Sequence, residues 1–518
     1  MRQIYYNDLY RDFMQKNIQT LLAYAIKNKL IKPEDKLWAQ NALFALLDTD
    51  ASNAEKLPNP KGKSITQVLN NLSAYAAKKG LLKADVLSYR DNFEVALMGV
   101  FTARPSEVVN KFFADKQKSP KLATDNFYKY CKTVNYVRAE QIAKNVSWKV
   151  PTEYGDIGLT INLAKPEKDP KEIALLGKQP LKENAYPKCV LCAENEGYGG
   201  RLGYSARQNL RVIPLKLGGK NWFFQYSPFS YYTEHSIVVS SEHKPMKITP
   251  ETFVNLLDFL TEFPHYFIGS NADLGLVGGS ILNHDHYQAG RYTFALEQAK
   301  TNLKFSLPKF KQVEFSWLKW PVTVLRVRGP KKQVALAAAH ILKTWQKYDD
   351  KSAGIMHATA KEQHNTITPI ARYKNGKYEI DLALRNNRTD KEYPFGIFNT
   401  PVKYHNIKRE NMGLIEVLGL AVLPGRLKKQ MAQIAELISK NKTENIKKDQ
   451  NLKLHYSWVK EICAAKKFKN LAEVQKFLRI QIGYTFVASL EGCGVFKQDE
   501  TGKQNLLKFI KTLGAKIN

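Results

Sequence analysis

The chain has 518 residues, of which 44% are hydrophobic and 25% charged, a composition typical of a folded protein with room for more than one domain. No apolar run approaches the roughly 18 to 20 residues that a membrane span requires, and the N-terminal residues lack an apolar signal core. Because five cysteines are too few for a disulfide framework, the expected location is the reducing cytoplasm, and no membrane partner is expected.

The charge balance is strongly basic, since 79 lysines and arginines against 48 acidic residues give a net charge of +31. Such a balance is typical of proteins that bind nucleic acids or anionic surfaces. The lysines are scattered along the whole chain, however, and no arginine-rich tail or aromatic RNA-binding motif accompanies them. A generally lysine-rich surface is therefore the preferred interpretation, and no nucleic-acid partner is expected, although the positive field would attract a phosphorylated small substrate.

The first predicted elements in the chain are helices. Residues 1–150 form a predicted helical region, because the runs at 17–32 and 69–83 carry apolar residues at helical spacing. The two runs also resemble each other, as LLAYAIKNKLIK does LSAYAAKKGLLK. We expect them to pack as amphipathic helices without a chemical role.

From about residue 200 the apolar and aromatic residues cluster in short runs of strand length. A helix is predicted to begin among these runs, with Thr249 as its N-cap and Pro250 at its first position. The predicted strands are 211–217, 221–229, 235–241, 274–282 and 291–297.

The second part of the chain continues the mixture of strands and helices. A strand is predicted at 322–329, a helix at 333–348, and a hairpin at 367–387 that turns at Asn375-Gly376. The run at 427–440 and much of the last hundred residues are predicted to be helical. Strands mixed with helices without strict alternation predict an α+β fold.

The segment HDHYQ carries the chemistry of the sequence, with His284, His286 and Gln288 on alternate positions after a glycine pair. Residues two apart on a strand face the same way, so these side chains would form one polar row that could meet a phosphate. A neutral histidine is a good nucleophile at phosphorus and forms a labile phosphoramidate. The alternative, ordinary histidines paired with the backbone, would suit one isolated histidine better than this row.

This row and its surroundings resemble a known family. The segments at 189–201, 271–291 and 404–424 are similar to the class II bacterial UDP-glucose–hexose-1-phosphate uridylyltransferases of the histidine-triad superfamily. The resemblance covers most of the chain. It implies two histidine-triad-like antiparallel sheet halves, a catalytic one at 151–305 and a second one at 306–518 that ends in helices.

The resemblance also implies a ping-pong reaction of galactose catabolism by the Leloir pathway, carried out by a homodimer. His286 would take the uridylyl group from UDP-glucose and pass it to galactose 1-phosphate. Gln288 would bind the phosphoryl oxygens, which suffices because a sugar phosphate leaves as a stable anion. The nearest alternative is a dinucleoside polyphosphate phosphorylase of the same superfamily. A basic nucleic-acid-binding protein with a zinc knuckle is a second alternative, and it leaves the HDHYQ row unexplained.

Cys189 and Cys192 form a Cys-x2-Cys knuckle, and a structural zinc ion needs four ligands. The family resemblance implies that His243 and His284 are the other two. The alternative is a reduced, metal-free cysteine pair beside buried histidines. His235 is a spare candidate ligand or a core histidine. No second metal site and no organic cofactor are expected.

Substrate contacts are also implied by the resemblance. Asn271, Gly279 and Ser280 would contact the uridylyl phosphate and the ribose. Arg201 and Arg207, which follow the knuckle, are candidates for neutralising the diphosphate charge. Either arginine could instead be an ordinary surface residue, as single arginines usually are.

Overall fold

The computed structural model describes residues 2–49, 57–164, 170–177, 186–279, 281–360, 362–464 and 466–517. Its helices are α1 (Arg2–Lys27), α2 (Lys36–Leu47), α3 (Ile65–Lys78), α4 (Leu87–Gly99), α5 (Pro105–Lys118), α6 (Pro120–Thr133), α7 (Ala139–Ile142), α8 (Pro170–Leu176), α9 (Pro250–Glu262), α10 (Lys331–Trp345), α11 (Leu414–Val417), α12 (Arg426–Ser439), α13 (Glu444–Lys448), α14 (Tyr456–Cys463), α15 (Leu471–Cys493) and α16 (Glu500–Thr512).

The strands are β1 (Val146–Thr152), β2 (Gly155–Ile161), β3 (Ile213–Leu217), β4 (Lys220–Tyr226), β5 (Ser236–Ser240), β6 (Phe267–Gly269), β7 (His286–Gly290), β8 (Thr301–Ser306), β9 (Glu314–Leu318), β10 (Val324–Gly329), β11 (Asn365–Lys374), β12 (Lys377–Asn386), β13 (Leu420–Leu423) and β14 (Lys516–Ile517).

These elements confirm the predicted α+β fold, because helices and mainly antiparallel strands are mixed along the chain. The chain divides into two compact units; one is mainly helical, and the other contains most of the strands and the C-terminal helices. The first comprises residues 1–144, 164–215 and 223–230, and the second comprises 145–163, 216–222 and 231–518. The predicted division of the chain at 150/151 and 305/306 stays a prediction.

The helical unit confirms the two related amphipathic helices, which are parts of α1 and α3. Their apolar faces are buried in one core, in which Leu21 and Leu72 are fully inaccessible to solvent. In the described parts of the chain, no helix has both the length and the apolar character that a membrane crossing needs.

The larger sheet has 11 strands in the order β14-β8-β9-β10-β12-β11-β6-β7-β5-β4-β3. It contains the same topology twice. Strands β3, β4 and β5, helix α9 and strands β6 and β7 follow one another along the chain, and β8, β9, β10, α10, β11 and β12 repeat that sequence. In both cases the fifth strand lies between the third and the fourth. The predicted antiparallel sheet halves are therefore confirmed.

The two halves of the sheet meet at their fourth strands, since β6 pairs antiparallel with β11 through Phe267↔Arg372 and Gly269↔Ile370. A smaller sheet consists of β1, β2 and β13, in which β2 and β13 run parallel. Because β7 is the last strand of the first half, its counterpart in the second half is β12.

Local sequence signals account for several element boundaries. Thr249 is the N-cap of α9 and its N–H donates to the Thr252 hydroxyl, while Pro250 occupies the first position, as predicted. The hairpin of β11 and β12 turns at Asn375 and Gly376, whose φ values of 50° and 73° suit a type I′ turn. These two predictions are confirmed.

Two of the predicted strands are wrong. Residues 274–277, from the first of them, form a bend and a turn, Gly278 forms only an isolated bridge, and Leu276 has a φ of 67°, which a strand does not allow. Residues 291–297 form an irregular segment and a short 3₁₀ helix. The buried Val277, Phe294 and Leu296 anchor these segments in the protein interior. These apolar residues are buried outside regular strands, which explains why the sequences resemble strands.

Strand β12 carries a cluster of buried ion pairs. Asp381 is fully buried, and its carboxylate accepts hydrogen bonds from Arg326 at 2.6 and 2.9 Å and from Arg372 at 2.8 Å. Arg372 also donates to Glu379 at 2.5 Å. The carboxylates thus compensate guanidinium charges that would otherwise be buried alone.

We expect Asp381→Ala to lower the free energy of unfolding by about 3–5 kcal/mol, because it removes the fully buried carboxylate that Arg326 and Arg372 share and leaves their charges only partly compensated. Urea unfolding monitored by circular dichroism measures the change. Glu314→Ala is the matched control, since Glu314 forms exposed pairs with Arg328 and Lys377 and should cost at most about 1 kcal/mol. Equal losses for the two variants would contradict a stabilising role for the buried cluster.

Candidate active site

The polar row of HDHYQ lies at the beginning of β7. The strand begins at His286, so His286 and Gln288 lie on it and His284 precedes it. The expectation of one strand through all three residues is therefore corrected. The backbone at Asp285 is still paired, because its carbonyl accepts from the Ser240 N–H at 3.0 Å, but the segment after β5 is too irregular to extend the strand.

The opposite face of β7 fixes the strand in the protein. Tyr287 stacks on Trp222 with ring centroids 4.8 Å apart, and its hydroxyl accepts a hydrogen bond from the Asn255 amide at 3.0 Å. Asn255 belongs to α9. This packing holds the backbone that carries His286 and Gln288 against the helix of the same sheet half.

The His286 ring is held in one orientation and one tautomer. Its Nδ1 lies 2.8 Å from the backbone carbonyl oxygen of His284, which can only accept, so Nδ1 carries the proton. The other ring nitrogen, Nε2, then keeps a lone pair. The side chain is buried, and burial lowers the pKa of His286 to about 4. The ring is therefore neutral near pH 7, which is the form that attacks phosphorus.

Gln288 contacts His235, which the sequence offered as a spare metal ligand or a core histidine. Its Oε1 lies 3.1 Å from Nε2 of His235, a buried residue just before β5. In the pairing of β5 with β7, Ile237 lies opposite Gln288 and Ser236 opposite Ala289, which brings the two side chains together. Neither of those two roles predicts this contact, which depends on the register of the strands.

The cysteine knuckle is a compact turn. The sulfurs of Cys189 and Cys192 lie 3.6 Å apart, and the Asn195 amide donates to the carbonyls of both residues at 2.8 Å. Burial raises the pKa of the Cys192 thiol. Without a metal the Cys192 thiol therefore resists ionisation, whereas a bound cation would favour its thiolate form.

The four predicted metal ligands form one group. The ligand atoms of Cys189, Cys192, His243 and His284 all lie within 4.8 Å of one another. Nε2 of His284 lies 2.9 Å from the Ser240 carbonyl, so Nδ1 is the nitrogen through which His284 would bind a metal. Such a hydrogen bond from the second ring nitrogen is usual for metal-binding histidines. This group is compatible with zinc.

The predicted phosphate and ribose contacts are only partly described. Asn271 accepts the Leu414 N–H at 2.8 Å through Oδ1. Gly279 lies directly against the Asn271 side chain, since a Cβ there would be 2.5 Å from Nδ2. Glycine is therefore required for this close approach. Ser280, also predicted, lies outside the described residues.

The two predicted arginines make contacts within the helical unit. Arg201 donates to the Tyr186 carbonyl at 2.8 Å, and its guanidinium lies 4.1 Å from the centroid of the Tyr204 ring. Arg207 donates to the Ala206 carbonyl at 3.2 Å. Both side chains are half-buried, and their contact with a diphosphate stays a prediction.

Comparison with known proteins places the chain among its relatives. Residues 29–245 match the family model of the galactose-1-phosphate uridyl transferase N-terminal domain, and residues 259–459 match that of the C-terminal domain. The galactose-1-phosphate uridylyltransferase of Clostridium acetobutylicum is 47% identical over 96% of this chain and 99% of its own length. That of Bacillus subtilis is 44% identical over 97% and 98%.

Solved structures give a more distant likeness. The crystal structure of yeast Ap4A phosphorylase Apa2 is 13% identical and covers 59% of this chain and 92% of its own, with a TM-score of 0.32, a value too low to support any argument. The two family models and the near-full-length relatives establish the family of this chain. This chain belongs to the galactose-1-phosphate uridylyltransferase family.

Proposed function

We propose that the protein transfers the uridylyl group of UDP-glucose to galactose 1-phosphate, giving UDP-galactose and glucose 1-phosphate. Two lines of support combine. The relatives named galactose-1-phosphate uridylyltransferase match almost the whole chain. The single structural observation that supports the mechanism is the His286 ring, whose Nδ1 is bound to the His284 carbonyl and whose Nε2 keeps its lone pair.

In the first half-reaction, Nε2 of His286 attacks the α-phosphorus of UDP-glucose. A phosphorus–nitrogen bond forms, and the bond from phosphorus to the oxygen of glucose 1-phosphate breaks, with that oxygen taking the electron pair. The Nδ1 proton remains hydrogen-bonded to the His284 carbonyl, which stabilises the positive charge of the uridylyl-imidazolium. In the second half-reaction, a phosphate oxygen of galactose 1-phosphate attacks the same phosphorus and releases the neutral imidazole.

Gln288 is proposed to hold the phosphoryl oxygens during both half-reactions. It lies two residues after His286 on the same strand, and therefore on the same face of the sheet. Its amide NH₂ can donate hydrogen bonds to the oxygens as their charge rises, but it cannot remove a proton from water. This combination favours transfer to a sugar phosphate over hydrolysis.

A zinc ion is proposed at Cys189, Cys192, His243 and His284, whose two sulfurs and two imidazoles form a common structural set. Ligand atoms around tetrahedral zinc lie about 3.3–3.8 Å apart by the usual bond lengths, which suits this group. When bound, the ion would supply structural cross-linking of the segment that leads into β7. The transfer chemistry is assigned to His286 and Gln288.

The runner-up function is a dinucleoside polyphosphate phosphorylase, and it is not favoured. The relatives that match the chain over nearly its whole length carry the uridylyltransferase name. A binding test separates the two activities directly. The protein is incubated with UDP-glucose or with diadenosine tetraphosphate, and intact mass spectrometry records which nucleotidyl group becomes attached.

The expected result is a uridylyl adduct on a single histidine, formed with UDP-glucose and removed by galactose 1-phosphate with release of UDP-galactose. An adenylyl adduct, or no adduct under conditions in which the protein is folded, would contradict the proposed function.

We expect Gln288→His to slow transfer and to raise hydrolysis of UDP-glucose relative to transfer by about 10-fold, a change worth about 1.4 kcal/mol in the barrier. The reason is that an imidazole at this position can take a proton from water that attacks the uridylyl intermediate. Chromatography of UMP and UDP-galactose measures the ratio. Gln288→Leu is the matched control, which should slow both reactions without favouring hydrolysis. An unchanged ratio in Gln288→His would show that residue 288 does not decide the outcome.

A further inference from the structure

We infer that His235 is a positioning residue that fixes which end of the Gln288 amide faces the substrate. The inference rests on the proposed function. It assigns a role to a buried histidine whose side chain points at Gln288 and not at the metal group.

The geometry around His235 leaves its ring little freedom. The side chain is 3% exposed and is packed between Tyr231, at a centroid distance of 5.2 Å, and Tyr232, at 4.6 Å. The Ser236 hydroxyl that follows it donates to the Ala289 carbonyl at 3.0 Å, which ties the beginning of β5 to the residue after Gln288. The ring is thus held at a fixed distance from the Gln288 side chain.

The surroundings of the ring also decide its tautomer. Among the described residues, Nδ1 of His235 has no hydrogen-bond partner, whereas Nε2 lies 3.1 Å from the Gln288 amide. A proton on Nδ1 would be a buried donor without an acceptor, which is costlier than a buried lone pair. The proton therefore lies on Nε2. Burial lowers the pKa of His235 to about 4, so the ring remains neutral and carries this one proton.

A proton on Nε2 sets the direction of the Gln288 amide. The group facing His235 must accept, so it is the amide oxygen, and the NH₂ group is presented on the other side. With this orientation Gln288 offers donors to the phosphoryl oxygens. Without His235 the amide could turn by half a rotation and present its oxygen, which repels the phosphoryl oxygens.

The test compares two side chains of nearly equal size at position 235. His235→Gln keeps an N–H donor near the place of Nε2, whereas His235→Met fills similar space and cannot donate. We expect the Gln variant to retain kcat within a few-fold of the parent and the Met variant to lose about 10- to 100-fold in kcat, the scale on which small displacements of a catalytic group act. KM for UDP-glucose should change much less than kcat.

A double-mutant cycle separates positioning from a general loss of structure. In a Gln288→Ala background, His235→Met should cause almost no further loss of kcat, because the amide that it orients is absent. Tyr232→Phe is the packing control, since it removes a hydrogen bond to the Ala289 carbonyl on the same strand and leaves the His235–Gln288 pair intact. Its kcat should match that of the parent.

Three results would overturn the inference: parental kcat in His235→Met, equal losses in the Met and Gln variants, or the same fold-loss with and without the Gln288 amide. Failure of the proposed function has a different signature. In that case the parent protein itself forms no uridylyl adduct with UDP-glucose, whatever residue stands at position 235.

Discussion

Replacing His286 with alanine or asparagine is expected to abolish uridylyl transfer while the protein remains folded. Neither side chain has a nucleophilic nitrogen to replace Nε2, so the covalent route is lost. We expect kcat to fall by roughly 10⁴–10⁶-fold, the scale on which removal of a covalent nucleophile acts in other enzymes. Steady-state assays with UDP-glucose and galactose 1-phosphate measure the loss, and intact mass should show no adduct.

His340→Ala is the matched control for this experiment. His340 also binds a backbone carbonyl through a ring nitrogen, that of Leu513 at 3.1 Å, but it lies on α10 in the second half of the sheet. This variant should keep parental activity. In addition, His286→Gly should form UDP-galactose when the uridylyl group is supplied as its imidazolide, because the missing ring then arrives with the substrate. Normal turnover of UDP-glucose by His286→Ala would disprove the nucleophile assignment.

The second large effect concerns the proposed metal. Purified protein should contain about one zinc ion per chain, since a four-ligand tetrahedral site holds a single ion. Cys189→Ser should lower both the zinc content and the melting temperature, because the free energy of metal binding contributes to that of folding. Metal analysis by mass spectrometry and thermal unfolding measure the two quantities on the same samples.

The activities of the metal-site variants should follow a definite order. Cys189→Ser should lose less activity than His286→Ala, because the proposed ion is structural and is not proposed to bind the reacting phosphoryl group. His284→Ala should lie between them, since it removes a proposed metal ligand only two residues before the nucleophile His286. Cys463→Ser is the matched control, a cysteine outside the group that should change neither zinc content nor stability. Zinc-free parent protein, with Cys189→Ser equally stable, would leave an ordinary reduced cysteine pair.

The sequence predicted those parts of the fold that depend on local chemistry. The N-cap and proline of α9 and the Asn375-Gly376 turn act through hydrogen bonds and backbone angles of neighbouring residues, so they can be read from a few positions. The grouping of Cys189, Cys192, His243 and His284 came from the family resemblance, and the structure brings them together.

Other features depend on contacts between distant segments, which a sequence does not contain. The runs at 274–282 and 291–297 resemble strands because their apolar residues anchor loops in the interior. A buried strand needs apolar residues for the same reason, so the two cases look alike in sequence. The partnership of His235 and Gln288 exists because β5 pairs with β7 in one particular register. A shift of that register by one residue would place the two side chains on opposite faces of the sheet.

The repeated strand order has a consequence for how this enzyme can change over evolutionary time. The sheet has two halves of the same strand order, and the proposed nucleophile His286 lies on the first of them. The last strand of the second half, β12, contains no histidine and carries the buried Asp381 and Glu379 ion pairs. Because the second half carries no proposed nucleophile, selection on its sequence can act on the stability of the fold. Natural variants of the second half should therefore differ in heat tolerance more than in the ratio of transfer to hydrolysis.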